Sequence, residues 1–546
     1  MMPKDSTGRI ETYRLKIWAK SIFYNVGLQL ILRIVTFVAN AFIVRLLSKE
    51  ILGLVNVRIL LFYTSVQFLS REAFRRTCFS SFKGDKDDLE TSFVNLSYCS
   101  LPLGALFGVI LWYIWAKVLE FPDTNLISEY ERTLSLVLIS VLIELSVEAF
   151  YVYGQRNDYI KLKVIIEGIF QFTRVILFTL IAVYSPQRAI LGFGFAQLSA
   201  SSVYSLCHIV YFLVFVQKDI SLFLPKINKQ SFHQIAFLFG TSLQFLLNTI
   251  FKQILTEGER YVMTIFTIIS LAEQGVYDII NNLASLPARL IFQQVEENSY
   301  RLFSGLIKRD MNYEQQRVST DRALYILTNL CRFMLIFGFL IFVYGFSFSE
   351  LALYFYGGNV LISGNLGWIS IALMRWQCLY IVLIALNGIL EAFTFASMNN
   401  RMMQTFNMCM IVLSISFLSI SIYTVRIFGC QGFILGNCFN MFMRILYSLY
   451  LVKHITGRFY KDIISQIIPS RIILLSFITI FVILHHLNNI IISNNLLQPN
   501  MLSSIVLFLF IGVLLFLFHI LLILIFEKNL FFVIRENFLS SKNKNV

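Results

Sequence analysis

Apolar runs long enough to cross a lipid bilayer recur from one end of this chain to the other, and they constrain its fold more than any other feature. A hydrocarbon core of about 30 Å takes roughly 20 apolar residues of α-helix, and about fourteen segments approach or exceed that length. They occupy residues 21–46, 51–70, 91–116, 133–154, 164–183, 190–216, 233–252, 263–293, 323–345, 367–396, 405–424, 429–452, 472–487 and 502–526. The eighth is polar in its second half. Lipid offers no water to backbone N–H and C=O groups, so such runs must satisfy them internally as helices. The expected fold is all-α: a polytopic membrane protein of about fourteen spans. Composition agrees, since only 14% of the 546 residues are charged and mean hydropathy is +0.72. Soluble domains carry about 25% charged residues, so neither a string of soluble domains nor a disordered chain fits.

The basic residues fix an orientation. Of the 45 Lys and Arg, 30 fall in the N-terminus, alternate loops and C-terminal tail on one side, six in loops on the other and nine within spans. The positive-inside rule places the richer side, with both termini, in the cytosol. The first run is too long for a cleaved signal peptide and reads as a signal anchor. The formal net charge of +14 then reflects topology and anionic headgroups, and nucleic acid is not an expected partner. Segment 217–232 follows six spans and reads as a cytosolic linker. The expected organisation is a six-helix lobe over 1–216, a second over 233–453, and two extra helices with a tail over 454–546.

Ionisable residues inside spans are costly and usually face a bundle interior or a water-filled path. At 100° per residue, Asn25, Gln29, Arg33 and Asn40 share a wedge of roughly 80° on the first span. Comparable stripes hold Lys163, Glu167, Gln171 and Arg174 on the fifth, and Thr241, Gln244, Asn248, Lys252 and Glu259 on the seventh. The eighth carries Asp278, Asn282, Ser285, Arg289, Gln293 and Glu296; the twelfth carries Asn437, Asn440, Arg444 and Ser448. Helix-to-helix hydrogen bonding explains any one of these. The set is better explained by a hydrated cavity between lobes, whose cations Arg33, Arg174, Lys252, Arg289 and Arg444 suit a phosphate or diphosphate. Glu144 and Glu148 read as members of a structural ion pair. Asp123, Glu129 and Glu131 read as solvated loop residues.

No G-x-x-x-x-G-K-[ST] loop is present, and no soluble loop is large enough to build a catalytic domain. The eight cysteines and six histidines do not cluster, so neither metal nor disulfides are expected. The chain is therefore expected to be neither an enzyme nor a cofactor protein.

Several stretches go beyond composition: RLLSKEILGLVNVRILLFYTSVQFLSREAFRRTC (45–78), KQILTEGERYVMTIF (252–266), EQGVYDIINNLASLPARLIF (273–292), LALYFYGG (351–358), LNGILEAFTFASMN (386–399) and GFILGNCFNMFMRI (432–445). Over about 20–455 the chain resembles the eukaryotic oligosaccharide translocation proteins of the endoplasmic reticulum. These belong to the multidrug/oligosaccharidyl-lipid/polysaccharide exporter superfamily. The resemblance implies two six-helix lobes around a cavity and a mannose-rich dolichol-diphosphate oligosaccharide as substrate. It implies movement of that substrate from the cytosolic to the luminal leaflet by alternating access, in N-glycosylation. The family's motif positions fall on Arg33, Arg45, Arg71, Arg75, Arg76, Lys252, Glu257, Glu259, Arg260, Asp278, Arg289, Glu296 and Glu297. Gln294 stands where the family has a proline, which puts a kink there in doubt.

Arg33, Lys252, Arg289 and Arg444 are thus the expected diphosphate ligands, and Arg45, Arg71, Arg75 and Arg76 the expected entry residues. The remaining polar residues (Asn25, Gln29, Asn40, Glu167, Arg174, Gln244, Asn248, Glu257, Glu259, Arg260, Asp278, Asn282, Glu296, Glu297) complete a cavity network. Lys542 and Lys544, fifth and third from the end, resemble a dilysine retrieval signal. Asn95-Leu-Ser97 is a formal glycosylation sequon at the cytosolic mouth of the third span, expected to stay unmodified. Membrane lipids and the glycolipid are the expected partners, and the expected assembly is a monomer. Two alternatives stand: a non-transporting accessory factor for the glycolipid, and an ion-coupled exporter of small molecules using Glu167 or Asp278.

Overall fold

A computed structural model describes residues 34–79, 86–119, 127–157, 159–216, 219–226, 229–266, 268–307, 316–493 and 501–528. Asn25, Gln29, Arg33, Asp123, Lys542 and Lys544 lie outside them. All regular structure among the described residues is helical, and helix occupies part or all of every expected run. Nine of the described helices are long and apolar enough to cross a membrane, ten if one bent pair counts as a single span. The helices over the first, seventh, eighth and twelfth runs are shorter or more polar. The chain divides into two compact units, Met1–Gly275 and Val276–Val546.

In the first unit, α1 (Ile34–Leu46) is followed by α2 (Lys49–Phe79), whose N-terminus is capped by Ser48. Then come α3 (Lys86–Tyr98), α4 (Ser100–Tyr113), α5 (Ile127–Ser146), α6 (Glu148–Arg156), α7 (Ile160–Tyr184), α8 (Ala189–Val210) and α9 (Lys229–Phe266). Helix α2 is the centre, packed by α4, α5 and α9, while α8 lies between α5 and α7. Gly104 and Gly108 let α4 close on neighbouring side chains: a Cβ at either would strike Leu145 or Leu138. Small residues serve this purpose in lipid, where burying apolar surface between helices gains little over leaving it in acyl chains. Outward, α7 presents Ile165, Ile169, Phe172, Ile176 and Leu180 as one exposed stripe. The polarity is inverted relative to a soluble protein, with oily residues outside and Gln67, Glu144, Glu148 and Gln197 buried.

Helix α10 (Leu271–Ala284) runs across the division between units. The second unit continues with a π-helical turn at Ala288–Phe292, α11 (Gln293–Leu306), α12 (Arg317–Ser347), α13 (Ser349–Gly357), α14 (Gly367–Ser397), α15 (Asn400–Phe428), α16 (Gln431–Thr456), α17 (Tyr460–Ile467), α18 (Arg471–Leu487) and α19 (Met501–Phe526). Gln294 sits inside α11, and the helical distortion lies just before it, in the turn after Pro287. Helix α14 is the hub, packed by α11, α12 and α16. Gly429, at φ 61°, turns the chain sharply from α15 into α16. Gly432 then allows the two helices to touch at backbone distance, fastened by the Thr424 hydroxyl donating 2.8 Å to the Gly432 carbonyl. Helices α18 and α19 pack on α12 through Phe477, Leu484, Phe508 and their neighbours.

Candidate functional site

Each unit carries its own buried polar set. In the first unit the fourth run is broken at Val147, and α5 and α6 meet at 43°. Glu144 stands just before the break and Glu148 just after it. Both side chains reach α2 but are satisfied differently. Glu148 takes a bidentate contact from the Arg75 guanidinium, the second bond being 2.9 Å, and Arg75 also lies 3.7 Å over the Tyr151 ring. Glu144 has no cation in hydrogen-bonding contact. The Tyr63 hydroxyl is 3.0 Å from both its oxygens, the Ser201 hydroxyl donates at 2.7 Å, and the Gln67 amide also donates. The two carboxylates expected to share a structural ion-pair role therefore part company: only Glu148 is ion-paired, because the break turns Glu144 toward neutral donors.

A chain of polar contacts leads from Glu144 across the unit. Ser201 accepts weakly from Gln197 at 3.4 Å, Gln197 accepts from Arg174 at 3.3 Å, and Arg174 also donates to Gln171 at 2.6 Å. The stripe read on the fifth run thus splits. Arg174 turns inward to α8 and holds Gln171 beside it, whereas Glu167 is exposed and only 4.0 Å from Lys163. Of the REAFRR arginines, Arg75 is committed to Glu148 and Arg76 pairs with Glu72 at 3.1 Å. Arg71 is half-buried and makes no ion pair or hydrogen bond to a described residue. Asn40 and Arg45 are exposed. On α9, Glu257 accepts from Arg260 at 3.0 Å and Glu259 is half-buried. Lys252, Gln244 and Asn248 lie on the same helix, their side chains outside the described set. Helix α9 is held to α2 by Tyr261–Ser65 (2.6 Å) and Ser242–Thr77 (2.8 Å) hydroxyl pairs.

In the second unit, Asn282 donates 2.9 Å to Asp278 and accepts 3.1 Å from Arg289, so three of the eighth-run residues form one ladder. Arg289 and Glu297 are exposed, and Glu297 accepts from Gln293 at 3.2 Å. Arg444 is engaged by Glu391 through two bonds of 2.7 and 2.8 Å. Gly388, one turn before Glu391, leaves room for the Glu296 carboxylate, whose oxygen would stand 3.0 Å from a Cβ there. The sequence reading missed Glu391. Its signal was available, as a lone carboxylate deep in an otherwise apolar run.

Charge is therefore partly cancelled at Arg75, Arg260 and Arg444. Arg174 is held by amide oxygens, and Arg71 makes no ion pair or hydrogen bond among the described residues, though the charges of Glu144 and Glu148 act on it. Guanidinium groups surrounded by neutral acceptors keep donors for phosphate oxygens, which they bind in a planar fork.

The model of the Rft-1 family, described as Rft protein, matches residues 18–536. The "Man(5)GlcNAc(2)-PP-dolichol translocation protein RFT1" of Xenopus tropicalis is 38% identical over 467 residues, 82% of this chain and 84% of that one. The protein of the same name from Mus musculus is 39% identical over 440 residues, 78% of this chain and 80% of that one. Among solved structures, "Lipid II flippase MurJ, inward closed conformation" superposes with a TM-score of 0.64 at 14% identity, over 93% of this chain and 100% of that one. An inward-facing multidrug resistance MATE family transporter of the MOP superfamily gives 0.50 at 14% identity, over 78% of this chain and 96% of that one. At such identity these two establish the fold, a polytopic transporter fold. With the family model spanning nearly its whole length, the chain belongs to the Rft-1 family.

Proposed function

We propose that the chain moves a mannose-rich dolichol-diphosphate oligosaccharide from the cytosolic to the luminal leaflet of the endoplasmic reticulum membrane, by alternating access and without catalysing a bond change. One observation carries this reading: identity of 38–39% over about four-fifths of the chain to proteins named for translocating that glycolipid. The transporter fold supports it. So do the guanidinium groups of the helical units: half-buried Arg71 and Arg174 in the first, half-buried Arg444 and exposed Arg289 in the second. The diphosphate is the charged part of the substrate, and bringing it through a low-dielectric slab requires fixed counter-charge. The isoprenoid tail can stay in lipid throughout. The charge distribution favours cytosolic termini.

The test is reconstitution. The purified chain in liposomes should move a dolichol-diphosphate oligosaccharide between leaflets, read by accessibility to a membrane-impermeant reagent. Arg289 is exposed, so Arg289→Ala should preserve the fold while removing a charge-assisted contact of about 1.5–3 kcal/mol. That corresponds to translocation slower by about tenfold or more. A folded protein that leaves the glycolipid in place, beside an active control flippase, would overturn the proposal in favour of a non-transporting accessory role.

A further inference from the structure

In the second unit, a cavity of about 600 Å³, lined by none of the residues placed on the translocation path, opens where α12, the α17–α18 junction and the end of α19 converge. Its charged lining is Arg332, Arg471, Lys528 and Glu527; Ile468 and Phe526 are among its apolar walls. Arg471 opens one membrane-length helix and Phe526 closes another, so the cavity sits at the depth where hydrocarbon gives way to headgroups. The adjacent α17 buries Ile463 and Ile467 while exposing Lys461 and Asp462, as an interfacial helix does.

Two of the four ionic groups are structural. Arg332 donates to the Gln466 carbonyl (2.8 Å from Nε) and at 3.3 Å to Glu527. Glu527 is only 5% exposed and also accepts from the Ser470 N–H at 3.0 Å. The other two, Arg471 and Lys528, are exposed and have no ion pair or hydrogen bond to a described residue. Formal charge on the lining is then three cations against one anion. The Ser470 hydroxyl beside them is buried without a partner, and as N-cap of α18 it does not bond the helix N–H groups.

We propose that this cavity binds the phosphate headgroup of an anionic phospholipid. Arg471 and Lys528 would grip the phosphate oxygens, with the exposed Ile468 and Phe526 against the start of the acyl chains. A phosphate-bearing small molecule would satisfy the cations alike but would gain nothing from those apolar walls at membrane depth.

The full chain, purified in detergent, is titrated with short-chain phosphatidylserine, short-chain phosphatidylcholine and inorganic phosphate, with bound ligand counted by native mass spectrometry. Phosphatidylserine should saturate a site that phosphatidylcholine does not fill. The double variant Arg471→Gln/Lys528→Gln, which leaves the Arg332–Glu527–Gln466 contacts in place, should bind it about 30-fold more weakly, given about 1 kcal/mol per basic residue near a lipid surface. Lys461→Gln, outside the cavity, should change far less. Equal affinity in the double variant, or equal binding of phosphatidylcholine, overturns the site. Inorganic phosphate binding as tightly as phosphatidylserine overturns the lipid assignment in favour of a soluble phosphate ligand.

Discussion

Arginines and carboxylates inside an apolar run were visible one by one; what each of them touches was not. Arg75 and Arg444 stood out as costly residues, but Glu148 lies 73 positions from the first and Glu391 53 positions from the second. No helical periodicity links residues on different helices. The consequence is measurable. Arg75→Ala leaves Glu148, 2% exposed, without its counter-charge, which should cost about 3–5 kcal/mol of stability. Removing both partners should cost markedly less than the sum of the single changes, as a double-mutant cycle on the detergent-solubilised protein would read. A double variant as unstable as that sum would mean that the pair does not interact. Arg444 and Glu391 should behave alike. Glu144 belongs to the same class of buried carboxylate, yet its partners are the neutral groups of Tyr63, Gln67 and Ser201, and composition gives no hint of that choice.

At the scale of elements, helix existence was legible and helix contact was not. A run of 20 apolar residues dictates a helix because lipid tolerates little else. Which faces meet depends on where the backbone can approach. Gly53 on α2 and Gly275 on α10 are in mutual contact: a Cβ on Gly53 would collide with the Leu271 carbonyl, and one on Gly275 with the Lys49 carbonyl. Gly53→Ala should therefore destabilise by about 1–3 kcal/mol. Gly305→Ala, on α11 with nothing within 4 Å of its Cβ, should be neutral or stabilising by up to about 1 kcal/mol. Thermal melts of the two variants side by side check both. A Gly53→Ala protein that melts with the wild type would show that the helices do not close there. The break at Val147 was likewise not evident, since nothing in IELSVEAF carries a proline or glycine to announce it.

For the whole molecule, orientation and modification come together at Asn95. From the charge pattern this sequon is expected on the cytosolic side, away from the glycosylation machinery. The structure adds a reason that does not depend on the side. Asn95 is 9% exposed, its Nδ2 donates 2.7 Å to the Lys226 carbonyl, and its Oδ1 accepts 2.8 Å from the Lys226 N–H. The nitrogen that would carry a glycan is thus already engaged with the segment following α8. Expressed protein should show no mobility shift on endoglycosidase treatment; a shift abolished by Asn95→Gln would refute both the orientation and this packing. The same packing bears on chain organisation. Counting spans suggested a linker at 217–232; the compact units divide after Gly275, with α9 packed along α2 and α3.

What the sequence alone determined was the solvent and the class of fold. Transfer of apolar runs into lipid depends on local composition, and so does the requirement that they be helical. It also determined family membership, since long motifs survive as text. Which acid neutralises which arginine, which glycines let helices touch, where a span breaks and where three cations enclose a cavity with Glu527 were left to the tertiary structure. Those depend on residues tens to hundreds of positions apart, Arg332 and Glu527 being 195 apart. Their pairing is decided by packing geometry in a medium where an unpaired polar group is expensive.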